Sequence, residues 1–217
     1  MSEKTRNGSD AADKKTRILA ATTRLLKTQG LPAFSFDAVA NEAGLSRQLV
    51  RYYYSSLDAL IVDLCDHLAM TYQEALIAGI VNFGQVERLA FFLDYFFGVS
   101  DDHPMPDNLE VYDAFFAYAV GSEPLRDRLC ETYKTLGQVV VHELAIAHPQ
   151  LESRASEELS FLFVSMMHAH WSFVATLGFS SKHNHIARMA FDRLIASYVS
   201  EGPDHASKVR PWTRGEV

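Results

Sequence analysis

The sequence predicts an all-α protein, with a three-helix N-terminal domain holding a helix-turn-helix and a larger helical C-terminal domain. Three observations support this. No segment sustains the apolar–polar alternation of a strand. Apolar residues recur at spacings of three and four between glycine and proline breaks. Residues 36–55, FDAVANEAGLSRQLVRYYYS, read as a helix, a tight glycine turn and a second short helix.

That stretch is the most specific in the chain. Phe36, Val39, Ala40 and Ala43 fall at i, i+3, i+4 and i+7, so they share one helix face. Gly44 ends the helix, because glycine accepts the left-handed backbone of the turn. Leu45 plugs the turn and Ser46 is a good N-cap. The next helix buries Leu49 and Val50 and turns Arg47, Gln48, Arg51 and Tyr52 outward. Arginine can grip guanine O6 and N7, and glutamine can pair with adenine.

The remaining elements follow from periodicity. A helix over 10–29 carries Ile18, Ala21, Leu25 and Leu26 and is closed by Gly30. Ser55 and Ser56 open a long helix over 57–82, which Asn82-Phe83-Gly84 breaks. Further helices are expected at 85–99, 108–121, 123–147, 151–178 and 184–200. Domain boundaries are set at 1–9 (disordered arm), 10–56 (helix-turn-helix domain), 57–202 (a larger helical domain) and 203–217 (flexible tail).

Composition narrows the class. The net charge of −7 opposes nucleic-acid binding at first sight, but the first 60 residues carry +3 and the rest −10. A basic end on an acidic body fits a DNA-binding module joined to another domain. No apolar run approaches the roughly 20 residues of a membrane span, and the polar N-terminus lacks a signal-peptide core. A cytoplasmic protein with no membrane partner is expected. Cys65 and Cys130 form no metal-binding spacing, and the histidine pairs at 168/170 and 183/185 lack further ligands at ligand spacing, so neither metal nor cofactor is expected. GxSxG, a phosphate-binding glycine loop and HExxH are all missing from the sequence, so an enzyme is not expected.

The chain resembles the TetR family of one-component bacterial transcription regulators. The resemblance rests on ILAATTRLL (18–26), Gly30 and SFDAVANEAGLSRQLVRYYYSSLDAL (35–60). It departs from the family pattern at Arg51, where a tyrosine is usual, at Tyr53 and Tyr54, which replace histidine and phenylalanine, and at Leu57, which replaces a phosphate-touching lysine. The resemblance implies a regulator, a repressor by expectation, that binds a palindromic double-stranded DNA operator as a homodimer and is released by a small effector. The expected DNA-contacting residues are Arg47, Gln48, Arg51, Tyr52, Tyr53, Ser46, Ser35, Thr16 and Arg17, with Tyr54 favoured as core. In the family, effectors bind between helices of the second domain. Phe92, Phe96, Tyr112, Phe116, Met167, His170 and Trp171 are the expected pocket, for a largely apolar ligand with one polar end. The helices near 151–178 and 184–200 are the expected dimer contact. The competing reading is a regulator or architectural DNA binder with no effector.

Overall fold

The computed structural model describes residues 3–80, 87–99, 106–201 and 210–214. Among them there is no strand, and nine α-helices follow in order: α1 (Glu3–Gln29), α2 (Phe36–Ala43), α3 (Arg47–Tyr53), α4 (Leu57–Ile80), α5 (Arg88–Phe97), α6 (Glu110–Ala119), α7 (Glu123–Ala147), α8 (Ser153–Trp171) and α9 (Asn184–Glu201). The expected break at Asn82-Phe83-Gly84 and the tail residues 203–209 and 215–217 lie outside the described residues.

The chain divides into two compact units, Met1–Thr71 with Glu110–Leu129, and Tyr72–Leu109 with Cys130–Val217. The sequence alone places the boundary at 56/57. The first 15 residues of α4, all of α6 and the start of α7 belong with the helix-turn-helix. The cause is packing. Phe34 meets the Tyr118 ring edge-on at 5.8 Å, Lys27 pairs with Glu110 at 3.7 Å, and Ser122 donates to Asp58 at 2.5 Å. Helix periodicity shows that a face is apolar but not which neighbour covers it.

In the first unit, Ile18, Val39, Val50, Leu60, Ile61, Leu64, Val111, Phe115 and Leu125 are fully buried. Each such side chain contributes roughly 1.5–3 kcal/mol by burial. Helix α1 begins at Glu3. Its first seven residues lie within the segment 1–9 that the sequence alone sets apart as an arm.

The second unit has an aromatic centre. Phe96 stacks on Trp171 at 5.9 Å and meets Phe163 edge-on at 5.7 Å. Phe163 also contacts Phe97 and Phe191. A π-helical turn, Ser172–Thr176, continues α8, and Gly178 turns the chain with φ 73°. The expected helix over 151–178 therefore changes type in its last turns. Residues 210–214 are the described part of the tail. Trp212 donates from Nε1 to Ser160 Oγ at 2.9 Å and lies edge-on to Phe161 at 5.4 Å. Its ring occupies the space beside Gly137 where any Cβ would sit.

Candidate nucleic-acid interface

Helices α2 and α3 form as the sequence requires. Ser35 Oγ accepts from the Ala38 N–H at 3.2 Å and Ser46 Oγ from the Leu49 N–H at 3.1 Å, so both serines cap their helices. Gly44 has φ 63° and ψ 38°, and Leu45 N–H donates to the Ala40 carbonyl at 2.9 Å. That is the left-handed C-cap expected at this turn. Val39, Ala40, Ala43 and Val50 are buried, whereas Leu49 and Phe36 are half-buried.

Helix α3 has seven residues, too few to hold itself together in water. Its C-terminal end is fixed by Tyr54, which is buried as expected and donates its hydroxyl to Asp63 at 2.5 Å. Burial first, and then the Asp63 carboxylate, push the Tyr54 hydroxyl pKa far above its ordinary value, so the proton stays in this bond. Lys15 on α1 pairs with the other Asp63 oxygen at 3.0 Å. Three helices thus meet on one carboxylate.

The exposed face of α3 carries Arg47, Gln48, Arg51 and Tyr52, and Tyr52 is 82% exposed. Tyr53 is half-buried and meets Tyr52 edge-on at 5.4 Å. Both arginines rest on the first turn of α2. Arg47 Nη1 lies 3.1 Å from Asp37 Oδ2, and the Arg51 guanidinium sits 5.5 Å from the centre of the Phe36 ring. Sequence reasoning missed Asp37 and the role of Phe36. Helix spacing within α3 shows what points outward but not which α2 side chain lies underneath.

The expected contacts on α1 are engaged within the protein. Thr16 donates its hydroxyl to the Ala12 carbonyl at 3.0 Å. Arg17 Nη2 donates to the Ala43 carbonyl at 3.0 Å, tying α1 to the end of α2. A phosphate contact by Thr16 requires exchange of this proton, whereas Arg17 keeps further N–H groups on an exposed side chain. Ser35 and Ser46 use their oxygen lone pairs in capping, which leaves their O–H groups to donate.

The residues expected to bind a ligand fall in both units. Tyr112 and Phe116 belong to the first, where Tyr112 is buried against Phe115 and Phe116 is 43% exposed. Phe92, Phe96, Met167, His170 and Trp171 belong to the second. Phe92 and Phe96 pack at 5.9 Å, and Trp171 gives its N–H to the Phe96 carbonyl at 2.8 Å. His170 Nε2 meets Asn184 Oδ1 at 2.9 Å, while Asn184 Nδ2 donates to the Gly98 carbonyl. Since that amide must present its oxygen, Nε2 is the protonated nitrogen of His170. Burial lowers the His170 pKa, offset in part by Asn184.

Two cavities open in this second unit. One of about 540 Å³ lies between α5 and α9, lined by Leu89, Leu93, Ile195 and Val199 with Arg188 and His148. Arg188 donates to Asp94 at 2.7 Å and also pairs with Asp192. The other, of about 420 Å³, is lined by His170, Phe173, Val174, Phe179, His183 and Ile186. His170 is the one expected ligand residue that reaches either cavity. Among the described residues no group of three or more His, Cys, Asp or Glu is placed to hold a metal. Among them, too, no helix is long and apolar enough to cross a membrane.

Two capped helices crossing over Gly44, with cationic and amide donors on the exposed face, define a helix-turn-helix DNA-binding regulator. Residues 18–64 match the model for bacterial regulatory proteins of the tetR family. An uncharacterised helix-turn-helix regulator of Xanthobacter autotrophicus is 26% identical over 145 residues, covering 64% of this chain and 69% of the relative. A TetR regulator from Haloarcula marismortui shares the fold at 19% identity and a TM-score of 0.72, covering 86% of this chain and 98% of that one. A transcriptional regulator from Saccharomonospora viridis, crystallised with choline, shares it at 17% identity and a TM-score of 0.70, covering 85% and 96%.

Proposed function

We propose that the protein is a cytoplasmic repressor that binds a palindromic operator as a homodimer through α8 and α9 and is released by a small, largely apolar effector. The observation that carries the dimer is a set of exposed apolar side chains on the π-helical turn after α8, the connection that follows and the start of α9. Phe173, Leu177, Phe179, Ile186 and Met189 are each between 49% and 65% exposed. Grouped exposed apolar side chains of this size mark an interaction surface. A two-fold dimer doubles the contacts of a small α3 and matches the symmetry of a palindrome.

An effector is supported by the cavities of the second unit, whose volumes fall in the range of small-molecule sites. The regulator from Saccharomonospora viridis that shares this fold was solved in complex with choline, which supports a small-molecule ligand here. Helix α4 runs from the first unit into the second. Ligand-dependent repacking around it is the route by which an effector disfavours the DNA-binding state. The effector-free reading is favoured by one observation: Phe92, Phe96, Met167 and Trp171 are all buried, and Phe96 packs against both Phe92 and Trp171.

Three measurements test the proposal. Sedimentation should show a dimer that Ile186→Glu splits, with weaker operator binding. Duplexes selected from random DNA should be palindromic, and Arg47→Ala should abolish specific binding to them. A compound that raises the melting temperature should weaken DNA binding. A monomeric wild type that binds its operator as well as before would overturn the dimer. Stabilising ligands without effect on DNA affinity would favour the effector-free reading.

A further inference from the structure

We infer that Asp37 is a specificity-determining residue of the DNA interface, forming with Arg47 a joined donor–acceptor pair that reads one G·C base pair. The inference rests on the reading that the exposed face of α3 enters the major groove.

Arg47 Nη1 and Asp37 Oδ2 are 3.1 Å apart, and the two side chains are 55% and 62% exposed. Among the described residues, neither the rest of the Arg47 fork nor the second Asp37 oxygen has a recorded partner. The pair therefore presents several N–H donors beside a carboxylate acceptor, on adjacent helices. A G·C pair offers the complement in its major groove: two acceptors on guanine, N7 and O6, and one amino donor on cytosine N4. No other orientation or pair presents these groups in that order.

Stability gives little reason for the contact, because exposed ion pairs add almost nothing to folding. Asp37 also lies in the first turn of α2, where a carboxylate suits the helix dipole. That role requires no arginine at 3.1 Å. The carboxylate carries a cost on DNA, since it repels phosphate and lowers affinity for duplex of any sequence. Only a cytosine amino group at the right place offsets that cost, so the same charge that weakens non-specific binding sharpens discrimination. Asp37 further keeps the Arg47 fork from turning to a phosphate. Phe36, the preceding residue, holds Arg51 in a comparable way through its ring. The first turn of α2 is thus a shelf that orients both arginines of α3.

The test is duplex selection from random DNA with the full-length protein, its Asp37→Ala and Asp37→Asn variants, and Arg47→Ala. Wild type should enrich half-sites with one fixed G·C pair. Asp37→Ala should lose about tenfold of the discrimination at that pair and bind unselected duplex more tightly. Asp37→Asn keeps an acceptor oxygen, so it should gain non-specific affinity but lose less discrimination. Thermal melts of each variant separate these effects from altered helix stability. If Asp37→Ala selects the same sites with unchanged discrimination while Arg47→Ala loses them, Asp37 is only a helix-terminal acid and the inference is overturned. If Arg47→Ala also selects the same sites, the groove reading of α3 fails with it.

Discussion

Replacing Gly137 with alanine should change sign according to what stands at position 212. Gly137 lies inside α7, where alanine is ordinarily favoured over glycine by about 1 kcal/mol. Here an added Cβ would come within 2.2 Å of Trp212 Cζ2 and 2.5 Å of its Cε2, so the indole must leave. Departure breaks the Trp212 N–H to Ser160 bond at 2.9 Å, worth about 1 kcal/mol. It also separates Trp212 from Phe161, an edge-on pair worth about 0.5–1.5 kcal/mol. The loss is about 2 kcal/mol and the helix gain about 1, so Gly137→Ala should destabilise the wild type by about 1 kcal/mol. In a Trp212→Ala background the clash is gone, and the same change should stabilise by about 1 kcal/mol.

Urea unfolding of the four proteins gives the cycle, with an expected coupling of about 2 kcal/mol between two residues that touch. Trp171 and Trp212 are the two tryptophans of the chain. In a Trp171→Phe background, fluorescence therefore reports Trp212 alone. Its emission should move to longer wavelength when Gly137→Ala is added. Equal stabilisation by Gly137→Ala in both backgrounds would show that the indole yields at no cost and that the tail is not held by this seat.

Three other outcomes follow from the described structure. Phe163 is fully buried among Phe96, Phe97 and Phe191, so Phe163→Ala should cost about 3–5 kcal/mol in denaturant unfolding. His170 has a pKa lowered mainly by burial, so the unfolded chain binds its proton more readily than the folded one. Its contribution to stability is present above the unfolded pKa, about 6.5, and is lost as pH falls through the lower folded value. His170→Gln should flatten that part of the stability–pH curve. Cys65 is buried, with its thiol pushed up to about 12 by burial and then by Asp66, whereas Cys130 is half-buried. A thiol reagent at pH 8 should modify Cys130 and spare Cys65 until the protein unfolds.

What the sequence made legible were features set by neighbours in the chain. Ser35, Gly44 and Ser46 each act within four residues of themselves, and all three sit where the turn and cap rules put them. Helix α7 runs over the expected residues 123–147 because Pro124 and His148-Pro149 are local start and stop signals. Features made by contact between distant segments were not legible. The seat of Trp212 depends on a missing Cβ at Gly137. The assignment of α6 to the first unit depends on Phe34 meeting Tyr118. Asp37 belongs to the same class: as a sequence feature it is an ordinary first-turn acid, and only the crossing of α2 and α3 sets it beside Arg47.

Leu57 offers the contrast that separates positioning from reading. It opens α4, half-buried, where the family pattern places a phosphate-touching lysine. Ser56 Oγ already accepts from the Ala59 N–H at 3.0 Å, so the helix start is capped without it. Leu57→Lys would place a cation near a helix N-terminus, an unfavourable interaction of about 0.3–1 kcal/mol with the dipole. In exchange it would add one phosphate contact per protomer. Phosphate contacts carry no base information. Affinity should therefore rise alike on every duplex, and the slope of log affinity against log salt should steepen by about 0.9 per added contact. The selected sequence should not change. Asp37→Ala should do the reverse, altering the selected sequence through a residue at the base-reading end of the same unit. A Leu57→Lys protein that selects a different operator would mean that α4 sets how α3 lies in the groove, and phosphate placement and base reading could not then be treated as separate functions of this domain.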